Sequence, residues 1–328
     1  MVRRTDLILA VVMTACAVAL CGCGSPGVNR PSPSAVDPGW TDTGAWEFLG
    51  HKGRRIATDH FEIRTTVDDP RIIDALPALL EASFQDVQML SPGLEPPKSP
   101  FITYLLADKR QWRNAVRIVV PSMVEQLHQL GRGGFTVRSV SVLYDIDPPG
   151  RCRDTLALAA HEAWHQVTQR VFKDPLPEWL EEGLATRMEG LDISATGVRP
   201  NPDNNPERHR RLRWMVYTKR LQSLRDFLRD DPYAALERDR EALLDYYAQA
   251  WALATFLLEA DPATRAGVGH LLADARHGRM RSKLRAAPRG LTTDERIFVT
   301  WIDPDIDALD ERFQNWCRQR VSWSRRSR

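Results

Sequence analysis

The pentapeptide His161-Glu162-Ala163-Trp164-His165 lies in a run of small and apolar residues from Leu156 to Val167, and it constrains this chain more than any other stretch. In a helix, two histidines four apart project from one face, a turn above each other. Two imidazoles so placed can hold one zinc ion. Glu162 then reaches a water at that metal and can act as its general base. Ionisable groups on an otherwise apolar helix are costly to bury singly, and a shared metal is the simplest partner for all three. A third protein ligand is needed, and a carboxylate is a normal choice beside two histidines. Pro177-Glu178-Trp179-Leu180-Glu181-Glu182-Gly183-Leu184-Ala185 offers Glu178, Glu181 and Glu182. The competing reading is a salt-bridged helix with His165 or Glu162 at the surface.

The spacing predicts the motif helix over Arg153 to Phe172, with Asp154 or Thr155 near its start, and a second helix through Met188 after the breakers Pro175 and Pro177. Upstream, His60 to Val67 alternates as a half-buried strand and Pro70 opens a helix ending near Leu90. Phe101 to Leu106 reads as a buried strand, followed by a helix from Asp108 to Val119. Phe135 to Tyr144 suits one or two strands at the sheet margin. The preceding Gly131-Arg132-Gly133-Gly134 lacks the Lys-Ser/Thr sequel of a phosphate loop and precedes a strand, so a turn is expected. Asp192 to Pro206 reads as a polar surface loop. Further helices are expected over Glu207 to Leu221, Leu224 to Arg229, Arg240 to Leu258, Ala263 to His277 and Ile306 to Arg320. The sum is an α+β chain: a small N-terminal mixed β-sheet with helices, then a mostly α-helical half carrying the metal-site helices.

The N-terminus bounds the compartment. Arg3-Arg4 precede an apolar run from Leu7 to Leu20, short for a membrane span and right for the core of a signal segment. It ends in Leu20-Cys21-Gly22-Cys23, which resembles the lipobox of bacterial lipoproteins and implies cleavage before Cys23 and lipidation of that residue. A plain secretory signal and an uncleaved anchor are the alternatives, and all three put the folded part outside the cytoplasm. Residues 24–45, with Pro31, Pro33 and Pro38, read as a flexible tether. Residues 46–328 then form one domain, divided into a sheet-containing part to residue 150 and a helical part beyond it. Of five cysteines only Cys152 and Cys317 remain in the folded part, and either a bridge or two separate thiols is compatible with an oxidising compartment. A formal net charge of +2 supplies no global field towards nucleic acid, and the basic tail from Arg318 reads as solvated.

His161-Glu162-Ala163-Trp164-His165 followed by Leu176-Pro177-Glu178-Trp179-Leu180-Glu181-Glu182-Gly183-Leu184-Ala185 resembles the gluzincin branch of zinc metallopeptidases, most closely the bacterial peptidase MA-like families with H-E-x-x-H and W-L-x-E-G-x-A. The resemblance implies a zincin-like fold, one zinc per chain held by His161, His165 and Glu182, and Glu162 as general base. Trp179, Glu182 and Thr186 share a helix face, which lets that carboxylate turn to the first helix, and Gly183 leaves room for the two helices to approach. Glu178 and Glu181 are expected to be solvated, or in Glu178's case near the N-cap, with ligation by one of them in place of Glu182 as the alternative. Tyr246-Tyr247-Ala248-Gln249 resembles the helix start after the zinc motif in gluzincin aminopeptidases, which implies Tyr247, with Tyr246 as runner-up, as a donor to the oxyanion. Two aromatics packing a helix on the core is the plain alternative. The remaining six histidines (His51, His60, His128, His209, His270 and His277) have no ligand-like spacing. A partner for the outer nitrogen of His161 or His165 is expected, unnamed by sequence.

Two functions follow. The first is an extracytoplasmic zinc-dependent peptidase, anchored to a membrane by lipid or else secreted, acting on a peptide or protein substrate, with strand addition along Phe135 to Tyr144. The second is a tethered binding or envelope-assembly lipoprotein with a structural or vestigial zinc. Neither involves nucleic acid.

Overall fold

The structure is a computed structural model that describes residues 7–10, 39–128, 133–194 and 197–323. Cys23, its lipobox and most of the expected tether lie outside them, as do Gly131 and Arg132 of the glycine-rich turn.

The N-terminal half is built on β1 (Leu7–Ala10), β2 (Thr41–Phe48), β3 (His51–Ala57), β4 (Phe61–Thr65), α1 (Pro70–Leu90), β5 (Phe101–Leu106), α2 (Lys109–Val119), α3 (Val124–His128), β6 (Gly134–Val137) and β7 (Val140–Tyr144). The strands form one sheet in the order β1-β6-β7-β5-β4-β3-β2. β4, β5 and β7 run parallel, and the flanking pairs are antiparallel. Parallel neighbours need crossover connections, and α1 and α2 lie in those connections. α1 begins where Asp69 accepts from the Arg71 amide and Pro70 pre-sets the first turn. Its buried residues, from Ile72 to Val87, recur at three and four. α2 is fixed on the sheet by Trp112, whose indole N–H donates to the Val142 carbonyl at 3.0 Å.

The second half comprises α4 (Arg153–Val171), α5 (Glu178–Met188), the hairpin β8 (Leu191–Ser194) and β9 (Gly197–Pro200), then α6 (Pro206–Thr218), α7 (Leu224–Phe227), α8 (Pro232–Arg238), α9 (Arg240–Glu259), α10 (Pro262–His277), α11 (Met280–Lys283), α12 (Thr293–Trp301) and α13 (Ile306–Trp323). α4 packs between β6, β7 and α1 on one side and α5 on the other. α5 packs on α9, and α6, α8, α10 and α13 surround α9. Every residue of α4 from Thr155 to Thr168 is buried, as is every residue of α9 from Asp245 to Leu258. A helix apolar all round belongs inside, and these two form the centre of the molecule. The α+β arrangement expected from the sequence is the arrangement found.

Several local expectations change. Thr41–Ala45, assigned to the tether, belong to β2, and β2 with β3 extends the sheet by a pair that the alternation rule misses because most of β2 is exposed. Only β6 of the β6–β7 pair stands towards the margin; β7 is interior, between β6 and β5. Within the expected signal core, Leu7–Ala10 pair antiparallel along β6. The polar loop after Met188 holds the β8–β9 hairpin, and the short helices α8, α11 and α12 are additional. Cys152 and Cys317 are both free thiols.

Candidate metal centre

α4 starts without a side-chain cap of its own: Cys152 occupies the cap position, and the loop supplies the acceptor through Asp147 Oδ2, which takes the Thr155 amide at 2.8 Å. From that start the helix carries His161 and His165 one turn apart, their rings 4.9 Å between centroids. α5 brings Glu182 to them. Its Oε2 lies 3.3 Å from His161 Nε2 and 3.8 Å from His165 Nε2. A tetrahedral zinc with bonds near 2.0–2.1 Å separates its ligands by about 3.3 Å, so these three atoms stand close to the spacing a zinc ion imposes. Among the described residues, this is the one group of three or more potential ligands whose donor atoms lie within 4.8 Å of one another.

The donor set fits a metal by a second criterion. Both Nε2 atoms, both oxygens of Glu182 and Oε1 of Glu162 are buried without a hydrogen-bond partner among the described residues. Buried polar atoms are nearly always partnered, and unpartnered donor atoms of His161, His165 and Glu182 grouped within 4.8 Å ask for a cation. Burial, followed by the like charges of Glu178, Glu181, Glu162 and Glu189, pushes the Glu182 carboxyl well above its ordinary range. A divalent cation between the three side chains would offset that charge.

The outer nitrogens are held as ligating histidines require. His161 Nδ1 lies 2.9 Å from Glu189 Oε1, and His165 Nδ1 lies 2.9 Å from Glu181 Oε1. An ionised carboxylate only accepts, so each Nδ1 carries the proton and each Nε2 turns its lone pair to the centre. Glu189, just beyond α5, is itself clamped by buried Arg208 of α6, whose Nε and Nη2 each donate at 2.9 Å, and by Asn205 Nδ2 at 3.3 Å. Burial alone would raise the Glu189 carboxyl; the Arg208 charge and the His161 bond outweigh it and hold it at about 2. Glu181 accepts a further bond from Thr168 Oγ1 at 2.6 Å. His161 is lowered to about 4, chiefly by burial, so its ring is neutral over the physiological range.

Glu162 points from α4 towards β6. Its Oε2 accepts from Thr136 Oγ1 at 2.5 Å, and Thr136 is joined to Ser141 at 2.7 Å. Burial raises the carboxyl to about 8 against the Thr136 bond. A Cβ at Gly134 would lie 3.2 Å from the unpartnered Oε1, so the glycine keeps space beside that oxygen.

Three sequence expectations require correction. Glu181 is not solvated: it is buried and supports His165. Glu178 stands next to the N-cap of α5, as expected, but is part-buried in a cavity wall rather than fully solvated. Gly183 makes room for α9 rather than α4; a Cβ there would meet the Ala250 carbonyl oxygen at 2.6 Å and the Ala254 Cβ at 2.9 Å. Both tyrosines are buried. The Tyr247 ring packs edge-on to His161 at 6.4 Å, and the Tyr246 hydroxyl has no hydrogen-bond partner among the described residues. Both hydroxyls lie in the field of Glu182. Sequence reasoning missed Glu189, Arg208, Asn205, Thr136 and Thr168. The one available signal was spacing, since Glu189 follows Glu182 by seven positions, two helical turns on the same face.

Residues 155–266 match a family model described as "Protein of unknown function (DUF1570)". The matched third of the chain runs from α4 into α10 and contains His161, Glu162, His165, Glu182, Glu189, Arg208, Tyr246 and Tyr247. No curated protein and no solved structure matches the chain.

Proposed function

We propose that the chain is a zinc-dependent peptidase of the gluzincin, peptidase MA-like kind. One observation carries the reading: two histidine Nε2 atoms and a glutamate carboxylate converge, buried and otherwise unpartnered, beside a second glutamate whose Oε1 is free. His161, His165 and Glu182 would hold the zinc; bound there, it supplies Lewis acidity that polarises a peptide carbonyl and makes water acidic enough to ionise near neutral pH.

The chain's own residues do the rest. Glu162 takes the proton of the attacking water and returns it to the leaving amine, and its raised affinity for protons suits both acts. Thr136 holds one Glu162 oxygen, leaving the other for the water. Glu189 and Glu181 keep the imidazoles oriented, with each Nε2 turned to the centre. Tyr247 donates to the oxyanion of the tetrahedral intermediate. β6 lies over Glu162, and Leu7–Ala10 pair along its outer edge. In this account that segment belongs to the leader, and its removal opens the edge for a substrate strand.

The folded part stands outside the cytoplasm, anchored through lipid on Cys23 or secreted. Among the described residues no helix is long and apolar enough to cross a membrane. A second reading has one observation in its favour: His161, Glu162, His165 and Glu182 are each at most 1% exposed, as in a closed structural site. It makes the chain a tethered binding or envelope-assembly lipoprotein with a structural zinc. Glu162→Gln separates the two. The peptidase reading predicts that the variant keeps zinc and loses hydrolysis of an unfolded protein substrate, whereas hydrolysis by the variant contradicts it. A zinc-loaded wild-type protein that cleaves nothing supports the second reading.

A further inference from the structure

Leu7–Ala10 pair antiparallel with β6 in the register Leu7↔Val137, Ile8↔Thr136, Leu9↔Phe135 and Ala10↔Gly134. β1 is the terminal strand of the sheet on this side and covers every residue of β6. Two of the four covered residues adjoin the proposed general base. Thr136 Oγ1 donates to Glu162 Oε2 at 2.5 Å. A Cβ at Gly134 would lie 3.2 Å from Glu162 Oε1, the oxygen without a partner among the described residues. The strand therefore lies across the part of β6 that serves the site rather than along a remote margin. With it in place, His161, Glu162, His165 and Glu182 are each at most 1% exposed.

A sheet edge accepts one strand at a time, because the neighbour must stand about 4.7–4.9 Å away and its backbone groups must fill the same ladder positions. A substrate strand added to β6 and the pairing of Leu7–Ala10 therefore exclude each other. Leu7-Ile8-Leu9-Ala10 contains no proline, glycine or charge, the features that blunt strand addition at an edge. Carried on the same chain, it competes as a tethered ligand, at an effective concentration on the order of millimolar, so even weak pairing holds the edge. Cleavage before Cys23 would cut the chain between Ala10 and β2. The tethered competitor then becomes a free peptide that dilutes away.

We propose that Leu7–Ala10 act as an intramolecular competitor for the substrate strand, so that the chain carrying its leader is latent and leader removal is the activating step. The three metal ligands lie outside this contact, and the uncleaved chain holds its metal while lacking access for substrate at β6. A hydrolase made inside a cell and working outside it is thereby kept silent in transit. The inference rests on the peptidase reading for the latency of cleavage and stands apart from it for the competition at the edge.

The test compares the full-length, zinc-loaded chain, leader uncleaved, with the same chain carrying Ile8→Pro and Leu9→Pro. Successive residues of a strand turn their N–H groups to opposite sides, so one of the two prolines removes a donor facing β6. Hydrogen exchange over residues 134–137 reads the pairing directly. Fluorescein-labelled casein reads binding by anisotropy, with Glu162→Gln in both chains, and casein hydrolysis reads activity without that substitution. Zinc content and melting temperature, unchanged by the prolines, show that the domain is intact. The proline chain should exchange faster over residues 134–137. It should bind casein about tenfold or more tightly, as expected when the competitor loses one or two ladder hydrogen bonds, and cleave it correspondingly faster. Equal casein binding by the two chains overturns the proposal, as does undiminished protection of residues 134–137 in the intact proline chain. Tighter binding by the proline chain without cleavage by either keeps the competition and removes the peptidase reading. Cleavage at equal rates by both does the reverse.

Discussion

Glu189 is where the metal centre and the stability of the fold are joined, and its replacement by glutamine should uncouple them. The Glu189 carboxylate accepts from His161 Nδ1 at 2.9 Å and from two nitrogens of buried Arg208, each at 2.9 Å. Neutralising it strips a guanidinium that is 1% exposed of its ion-pair partner. Breaking a buried pair from one side costs about 3–5 kcal/mol. The histidine loses the charge that fixes its tautomer, and outer-partner substitutions typically weaken metal binding by about 10–100-fold, or about 1.4–2.8 kcal/mol. Glu189→Gln should therefore lose both stability in urea and zinc affinity, the latter measured by competition with a fluorescent chelator. Adding Arg208→Met removes the stranded charge, so most of the lost stability returns while the zinc affinity stays low. If the double variant regains both, Glu189 serves only Arg208. If Glu189→Gln alone binds zinc within about threefold of wild type, the oriented-histidine argument fails.

Other outcomes follow from the same geometry. Gly183→Ala pushes a methyl group into the Ala250 carbonyl and should cost about 1–3 kcal/mol while displacing neighbouring Glu182, so a variant with undiminished melting temperature and zinc affinity would refute the close approach of α5 and α9. In the metal-free protein Glu162 titrates at about 8 rather than 4.5, so its proton is held more tightly folded than unfolded; its contribution is full below pH 4.5 and is lost as pH rises to about 8. Glu162→Gln should accordingly gain on wild type across that window by a few kcal/mol in urea unfolding, and a pH-independent difference would show that the carboxyl is not buried as described. Tyr247→Phe should lower kcat by about 10²-fold with little change in KM, and Tyr246→Phe by much less; the opposite order would transfer the oxyanion role to Tyr246.

The central helices were readable because several local signals coincide in them. α4 and α5 end within a residue of the expected limits, where Pro175 and Pro177 interrupt an apolar surface too wide for anything but a buried helix. α1 is bounded by Pro70 and by the turn after Leu90 in the same way. β2 and β3 escaped because their pairing leaves most side chains of β2 in solvent, erasing the period of two. Within the site, the four chemical residues were legible from spacing, and their supports were not. Glu181 and Glu189 have the composition of surface carboxylates; what buries them is the approach of α4 and α6, and the delivery of Arg208 from a helix nineteen positions further on. Gly183 was rightly seen as a point of close approach and wrongly paired, since sequence shows that a helix is approached but not by which neighbour.

Zinc content by ligand is the most direct measurement. Purified full-length protein, exchanged against zinc and freed of excess, should hold about one zinc per chain. Replacement of His161, His165 or Glu182 by alanine should each abolish it, while Glu178→Ala retains it. A wild-type protein that binds no zinc, or a Glu182→Ala variant that holds it as tightly as wild type, would contradict the account.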